Sequence, residues 1–161
     1  MADLHDVMAF LVKGYPHPDD LSNARLTKMI YLADWRAAIT KGQQITAIAW
    51  PFNHYGPFVG DVIEEAHTSD DFEVVRSQTV YGSPKQVVQL KRPNLDVHLE
   101  PWEEEALAHV ISTTSELTWA KFIELVYSTY PVVTQDRYNR LDLVQLANDY
   151  RELMKTLPAQ G

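Results

Sequence analysis

The run LTKMIYLADWRAAITKGQQITAIAWPFNHYGPFV, residues 26–59, decides how this chain folds. A soluble helix usually carries one apolar stripe. This one carries two. On a helical wheel Leu26, Met29, Ile30, Ala33 and Ala37 share one face; Leu21, Ala24, Tyr31, Leu32, Trp35 and Ile39 share another, with Lys28 among them. Thin polar strips divide the faces, one holding Thr27 and Asp34 and the other Arg25 and Arg36. Such a helix has to be covered on both flanks. The pattern therefore predicts a central post from near Leu21 to Gly42, where glycine stops it.

Downstream of the post, ITAIAW reads as a short strand, rich in β-branched and aromatic residues. PFNHYGP follows as a rigid loop, with Pro51 and Pro57 restricting the backbone and Gly56 allowing a tight turn. Helical spacing returns at Val59, Val62, Ile63 and Ala66. From Phe72, EVVRSQTVYGSPKQVVQLKR reads as two strands about the turn YGSP, a β-hairpin. Upstream, Asp3 caps a first helix through Leu4, Val7, Met8 and Leu11 that stops at Gly14. YPHPDD is a loop, because its two prolines block regular pairing.

The connector PNLDVHLEP leads to a helical second half. Pro101 suits a first-turn position, and Glu103, Glu104 and Glu105 suit the positive end of the helix dipole; Leu107, Val110 and Ile111 face inward. Thr118 caps a further helix with the stripe Trp119, Phe122, Ile123 and Val126, which Pro131 is expected to end. Leu117 and Phe122 are spaced as its hydrophobic staple. Asp142 caps the last helix, with Leu143, Leu146, Ala147, Tyr150 and Leu153 on its apolar face. The expected class is α+β: a mainly helical single domain over residues 1–161 with a small antiparallel β-sheet or hairpin. Helices plus the sheet fill residues 1–92, and helices fill residues 100–157. Neither half alone would own a comfortable core.

Composition narrows the function. A chain of 161 residues is the size of one ordinary domain, and 45% apolar with 22% charged residues belongs to the globular class rather than the disordered one. No run approaches the ~20 apolar residues of a membrane span. The start MADLHDVMAF lacks the basic and small-residue features of a secretory leader, so the expected location is cytoplasmic. With no cysteine, disulfides, thiolate metal sites and Cys nucleophiles are excluded. A net charge of −8 argues against nucleic acid as partner, and it fits a basic partner or one met through an apolar patch.

Catalytic and metal chemistry find little support. The six histidines (5, 17, 54, 67, 98 and 109) include no closely spaced pair and no HExxH, so no metal site is expected. There is no GxSxG, and Ser112, Thr113, Thr114 and Ser115 read as helix-end residues. YGPFVG is too interrupted by Pro57 for a phosphate cradle. No catalytic residue and no cofactor is therefore assigned. Lys28 and Asp34 are six residues apart on the post and so lie on different faces without pairing, which leaves each on the surface or in a local ion pair. The sharper reading places Lys28, flanked by Tyr31 and Trp35, in a contact surface where its stem packs on aromatics. Most of the dense aromatic group Tyr31, Trp35, Trp50, Phe52, Tyr55 and Phe58 is core; the remainder lines a groove, since Trp and Tyr are favoured interface anchors. The candidate partner-binding residues are Lys28, Tyr31, Asp34, Trp35, Trp50, Phe52, His54 and Tyr55.

One ordered set of motifs goes further. LTK at Leu26–Lys28, YLADWR at Tyr31–Arg36, then Gly42, Ile45, Thr46, Trp50 and YGP at Tyr55–Pro57 resemble the Panacea-domain family, the SocA-like antitoxins. The later VYSTYP up to Pro131 and the closing YxxLDLxxLA from Tyr138 are similar to the tails of some members. The resemblance implies a bacterial or phage-borne antitoxin that neutralises a toxin encoded beside it, including alarmone-synthetase-like enzymes that disable translation. It implies direct protein–protein binding, in a homo-oligomer or a toxin–antitoxin heterotetramer, and it brings no catalytic residues. One member of the family instead acts as an adaptor that delivers its toxin to a protease.

Two other classes compete. The hairpin with Lys85, Lys91 and Arg92 suits the wing of a DNA-binding autoregulator, although no recognition helix rich in Lys or Arg accompanies it. An enzyme acting on a nucleotide or on the toxin's product would protect at far below equimolar dose, whereas a binder saturates near one to one.

Overall fold

The computed structural model describes residues 1–157. Helix α1 (Leu4–Gly14) starts on Asp3, whose side chain accepts from the His5 N–H, and the proline loop contains a single 3-10 turn (Pro18–Asp20). The post is α2 (Asn23–Lys41), opened by Ser22, which accepts from the Arg25 N–H, and closed by Gly42 at φ 70°. It is covered more completely than its wheel predicts. Arg25 through Trp35 are all buried, so the polar strips holding Arg25, Thr27 and Asp34 lie inside as well as the two apolar faces. A buried polar side chain must find a partner. Thr27 donates to Asn23 Oδ1 at 3.1 Å, and Arg25 donates to the carbonyls of Thr114 and Leu117, both at 2.9 Å. The Arg25 guanidinium lies between the rings of Tyr15 and Phe122.

The segment after Gly42 departs from expectation. Residues 45–49 form no strand; the strand β1 is Trp50–Asn53, which shares only Trp50 with the expected strand and otherwise lies in what reads as a loop, and it turns back at once into β2 (Gly56–Pro57). The cause lies in Asp34. Its carboxylate takes the N–H groups of Ile45 and Thr46, at 2.9 and 3.0 Å, so those donors are spent before any ladder forms. Helix α3 (Asp61–Thr68) leads to the long hairpin β3 (Phe72–Gln78) and β4 (Pro84–Leu90). Its register runs from Phe72 opposite Leu90 to Gln78 opposite Pro84, and Gly82 supplies the positive φ in the turn.

After the connector come α4 (Pro101–Thr114) and α5 (Trp119–Tyr127), the second capped by Thr118 accepting from the Lys121 N–H. Pro131 does not end that helix. The chain leaves it at Tyr127 and starts α6 (Tyr130–Thr134), with Pro131 in the first turn, where its missing N–H would have had no partner anyway. A further short strand, β5 (Arg140–Leu141), pairs antiparallel with β1 and completes the sheet order β2-β1-β5. Helix α7 (Leu143–Thr156) is capped by Asp142.

The architecture is α+β and mainly helical, 53% helix against 15% strand, so helices rather than sheets supply the core. That core is shared. Leu26, Met29 and Ile30 of the post belong to one cluster with Val7 and Leu11 of α1, Leu107 and Val110 of α4, and Leu143 and Leu146 of α7. The connector therefore divides no core, although the expected span to residue 161 runs past the described residues. Among the described residues no helix is long and apolar enough to cross a membrane.

Candidate functional site

A cleft of about 450 Å³ opens between α2, the apex of the β1–β2 hairpin and α5. Ala24 and Lys28, one helical turn apart, form its wall on the post. Trp119, Ile123 and Tyr127 form the opposite wall, spaced four residues apart so that they share one line of α5. Asn53, His54 and Tyr55 of the hairpin apex, with Phe58 after it, close the third side. The apex can sit this close to α5 because Gly56 has φ +96° and no side chain; a Cβ there would lie 3.2 Å from Tyr127 Cε1.

Lys28 is the one fixed charge in the lining. Only 4% of the residue is exposed, and its ammonium makes no hydrogen bond or ion pair within the described residues. Its nearest electrostatic partner is the face of Phe58, with Nζ 5.3 Å from the ring centroid. Burial holds its amine below the usual lysine range. A partly desolvated cation without a counterion, its nitrogen still open to the cleft, costs stability. The ring that faces the ammonium is thus Phe58, not Tyr31 or Trp35 as expected.

Around the mouth stand rings that a folded chain would normally hide. Tyr55 is 75% exposed and Trp119 48%. Tyr138, 73% exposed and at φ 70°, stands beside His54, with its hydroxyl 3.5 Å from Nδ1. Tyr138 is held there by its own N–H, which donates to the Phe52 carbonyl at 2.6 Å. His54 in turn meets Tyr55 edge to face at 4.6 Å.

The structure divides the eight candidate contact residues. Lys28, His54 and Tyr55 come together at the cleft. Asp34 and Trp50 have no exposed surface and cannot touch a partner in this conformation. Asp34 neither reaches the surface nor enters an ion pair. It is a buried anchor: Oδ2 accepts from Thr46 Oγ1 at 2.6 Å, from Trp50 Nε1 at 2.9 Å and from Gln44 Nε2 at 3.3 Å, beside the two backbone donors on Oδ1. Burial pushes its carboxyl up from 3.8 to about 6, and the Thr46, Trp50 and Ile45 donors keep it from rising further.

Tyr31 is equally enclosed, bonding Thr129 Oγ1 through its hydroxyl at 2.8 Å and meeting Trp50 edge to face at 5.6 Å. Burial raises its phenol well above the usual range. Trp35, two turns beyond Lys28 on the post, is stacked on Tyr130 and edge-on to Tyr150. Phe52 is buried beneath the Arg137 guanidinium. Tyr31, Asp34, Trp35, Trp50 and Phe52 are thus buried in the framework that holds the hairpin and the post in place, rather than displayed at the cleft.

Sequence reading passed over Trp119, Ile123 and Tyr127 as site residues. Their signal was present: a line at four-residue spacing, next to the inward line of Phe122 and Val126. The hairpin cations proposed for a DNA-binding wing are largely engaged. Lys85 Nζ donates to the Asp19 carbonyl at 3.0 Å, and Arg92 pairs with Asp71. Among the described residues no three His, Asp or Glu side chains converge to hold a metal.

Comparison with known proteins agrees with this layout. The family model described as "Antitoxin SocA-like, Panacea domain" matches residues 26–131, from the first turn of the post to Pro131, and so includes every residue lining the cleft except Ala24. No curated protein and no solved structure matches the chain.

Proposed function

The chain belongs to the Panacea-domain family of SocA-like antitoxins, and on that premise we propose that it neutralises a cognate toxin protein by direct, stoichiometric contact. The contact face is the cleft and its rim. The observation that carries this reading is the gathering of exposed rings, Tyr55, Trp119 and Tyr138, around a preformed apolar cleft. Aromatic side chains supply large contact area at low conformational cost, and they dominate interface energetics. A face already assembled in the free protein loses little entropy on binding. The toxin is the product of a neighbouring reading frame, and an alarmone-synthetase-like enzyme that blocks translation fits the family. The whole chain acts as one binding domain, without turnover.

The test is co-expression with the product of the adjacent reading frame. Co-purification near one to one, together with restored growth, is the expected result. A Tyr55→Ser, Trp119→Ser double variant removes one exposed ring and one half-exposed ring that rests on Phe122, so it should stay cooperatively folded, melting somewhat below the parent, yet lose both capture and rescue. Protection at a small fraction of the toxin dose, with no complex detectable, would overturn the proposal in favour of an enzyme.

A further inference from the structure

We propose that the Lys28 cleft is a receptor for a single carboxylate carried on an apolar body, and that an aspartate or glutamate side chain of the toxin occupies it. This rests on the antitoxin reading above and specifies its chemistry. The first argument is the missing counterion. Lys28 is almost wholly enclosed, lines the cleft, and meets no anion; only the weak field of the Phe58 ring faces it. Nothing in the fold of the post requires a cation at this position, because an apolar side chain of the same length would fill the same space without desolvation cost.

The second argument is the lining. Apart from Lys28 the walls are aromatic or aliphatic, their polar groups being the uncharged Asn53 amide, the His54 imidazole, the Tyr55 and Tyr127 hydroxyls and the Trp119 indole N–H. Asn53 carries no charge, and one of its two amide N–H groups is committed to the Phe58 carbonyl at 2.9 Å. The site therefore offers one fixed positive charge, the ammonium, inside a mainly apolar enclosure large enough for a small side-chain cluster. A carboxylate, with one charge and two oxygens, matches that supply. A phosphate, with more charge and three oxygens, calls for several cations or a cradle of backbone N–H groups, and the cleft has neither.

The third argument is charge contrast. A protein of net charge −8 repels anions over most of its surface, so a lone buried cation selects an acidic group that arrives with apolar neighbours rather than a free polyanion. The lowered proton affinity of the Lys28 amine agrees with a charge awaiting its partner.

The experiment has two arms. In the first, the wild-type chain is titrated with phenylacetate, phenylacetamide and inorganic phosphate, following the Trp119 indole and the Ala24 and Ile123 amides by NMR. Saturable shifts with phenylacetate alone are expected, and their loss in Lys28→Met. Equal binding of the amide, or of phosphate, overturns the inference. In the second arm, Lys28→Met should melt at or above the wild-type temperature, since it removes an unpaired buried charge. Its complex with the toxin should be weakened at least about 30-fold, the loss typical of truncating one member of a buried charge pair. If the wild-type chain captures toxin and Lys28→Met captures it equally well, the inference falls while the antitoxin reading stands. If the wild-type chain captures no toxin, both fall.

Discussion

Replacing Asp34 by asparagine changes one oxygen to an amide nitrogen at almost no change in volume, so its effect isolates hydrogen bonding from packing. In the native fold five donors converge on this carboxylate, two on Oδ1 and three on Oδ2. The asparagine oxygen has to stay with the Ile45 and Thr46 N–H groups, because the opposite orientation would set the amide against both. The amide nitrogen then faces Trp50 Nε1 and Thr46 Oγ1. The Gln44 amide keeps its bonds to the Thr46 and Ile48 carbonyls. The indole N–H is stranded in a fully buried site, at about 1–3 kcal/mol, and the charge-assisted Thr46 bond is lost as well. Removing a desolvated charge offsets part of this. A net loss of about 3 kcal/mol is expected, which for a chain of this size lowers Tm by about 6–12 °C.

The pH dependence gives the same substitution a second readout. The folded-state value of about 6 lies above the ordinary 3.8, so the stability this carboxyl contributes is full below about pH 4, declines as pH rises through 6, and is level above. A protonated carboxyl still offers the indole a lone pair, whereas the asparagine nitrogen has none. The difference in unfolding free energy between the wild type and Asp34→Asn should therefore be larger near pH 4 than at pH 7.5, by about 3 kcal/mol. Urea unfolding of both proteins across that range measures it. A variant that melts within about 2 °C of the parent at every pH would refute the assignment of Asp34 as the anchor of residues 44–50.

Three further outcomes are expected. His5 lies between Asp6 and Asp71, at 3.1 and 2.9 Å, and ties α1 to the start of the hairpin. Burial opposes its charge, but the two carboxylates outweigh burial and raise its pKa above 6.5; its contribution is full below that value and fades as pH rises through the raised one. Arg92 and then His5 hold Asp71 below 3.8, so its share fades only as pH falls through that lowered value. His5→Gln should consequently cost more stability near pH 5.5 than at pH 9, as followed by thermal melts. Gly42→Ala meets only left-handed strain, since nothing lies within 4 Å of a Cβ there, and should cost about 1 kcal/mol; Gly56→Ala adds a clash with Tyr127 and should cost about 2–3. Equal losses in chemical denaturation would contradict the close approach of hairpin and α5. Finally, a gel shift with the chain's own upstream DNA should show no salt-sensitive band, because Lys85 and Arg92 are already engaged and the net charge is −8; such a band would restore the winged-helix reading.

Sequence periodicity was a good guide where a segment's environment is set by its own neighbours. The post, its Ser22–Gly42 limits within a residue or two, the Thr118 and Asp142 caps and the long hairpin all follow from local spacing and end signals. It misled where a distant group competes for the backbone. ITAIAW has strand composition, yet a carboxylate eleven residues back claims its first N–H groups. Pro131 is a helix breaker by rule, and here it opens a helix instead. Strand β5 has two residues and exists only because β1 lies beside it.

By itself, then, the amino-acid order determined the class of fold, a helical α+β domain around a doubly covered helix, and the family motifs that carry the antitoxin assignment. Those are properties of residues near one another in the chain. Which aromatic rings are framework and which are free was decided only by the tertiary structure. Trp50 and Tyr55 look equally suited to an interface on paper, but one is locked to Asp34 and the other stands in solvent. The physical reason is that exposure depends on what packs opposite. The wall opposite Lys28 comes from α5, some ninety residues further along the chain, and no local pattern around the lysine announces it.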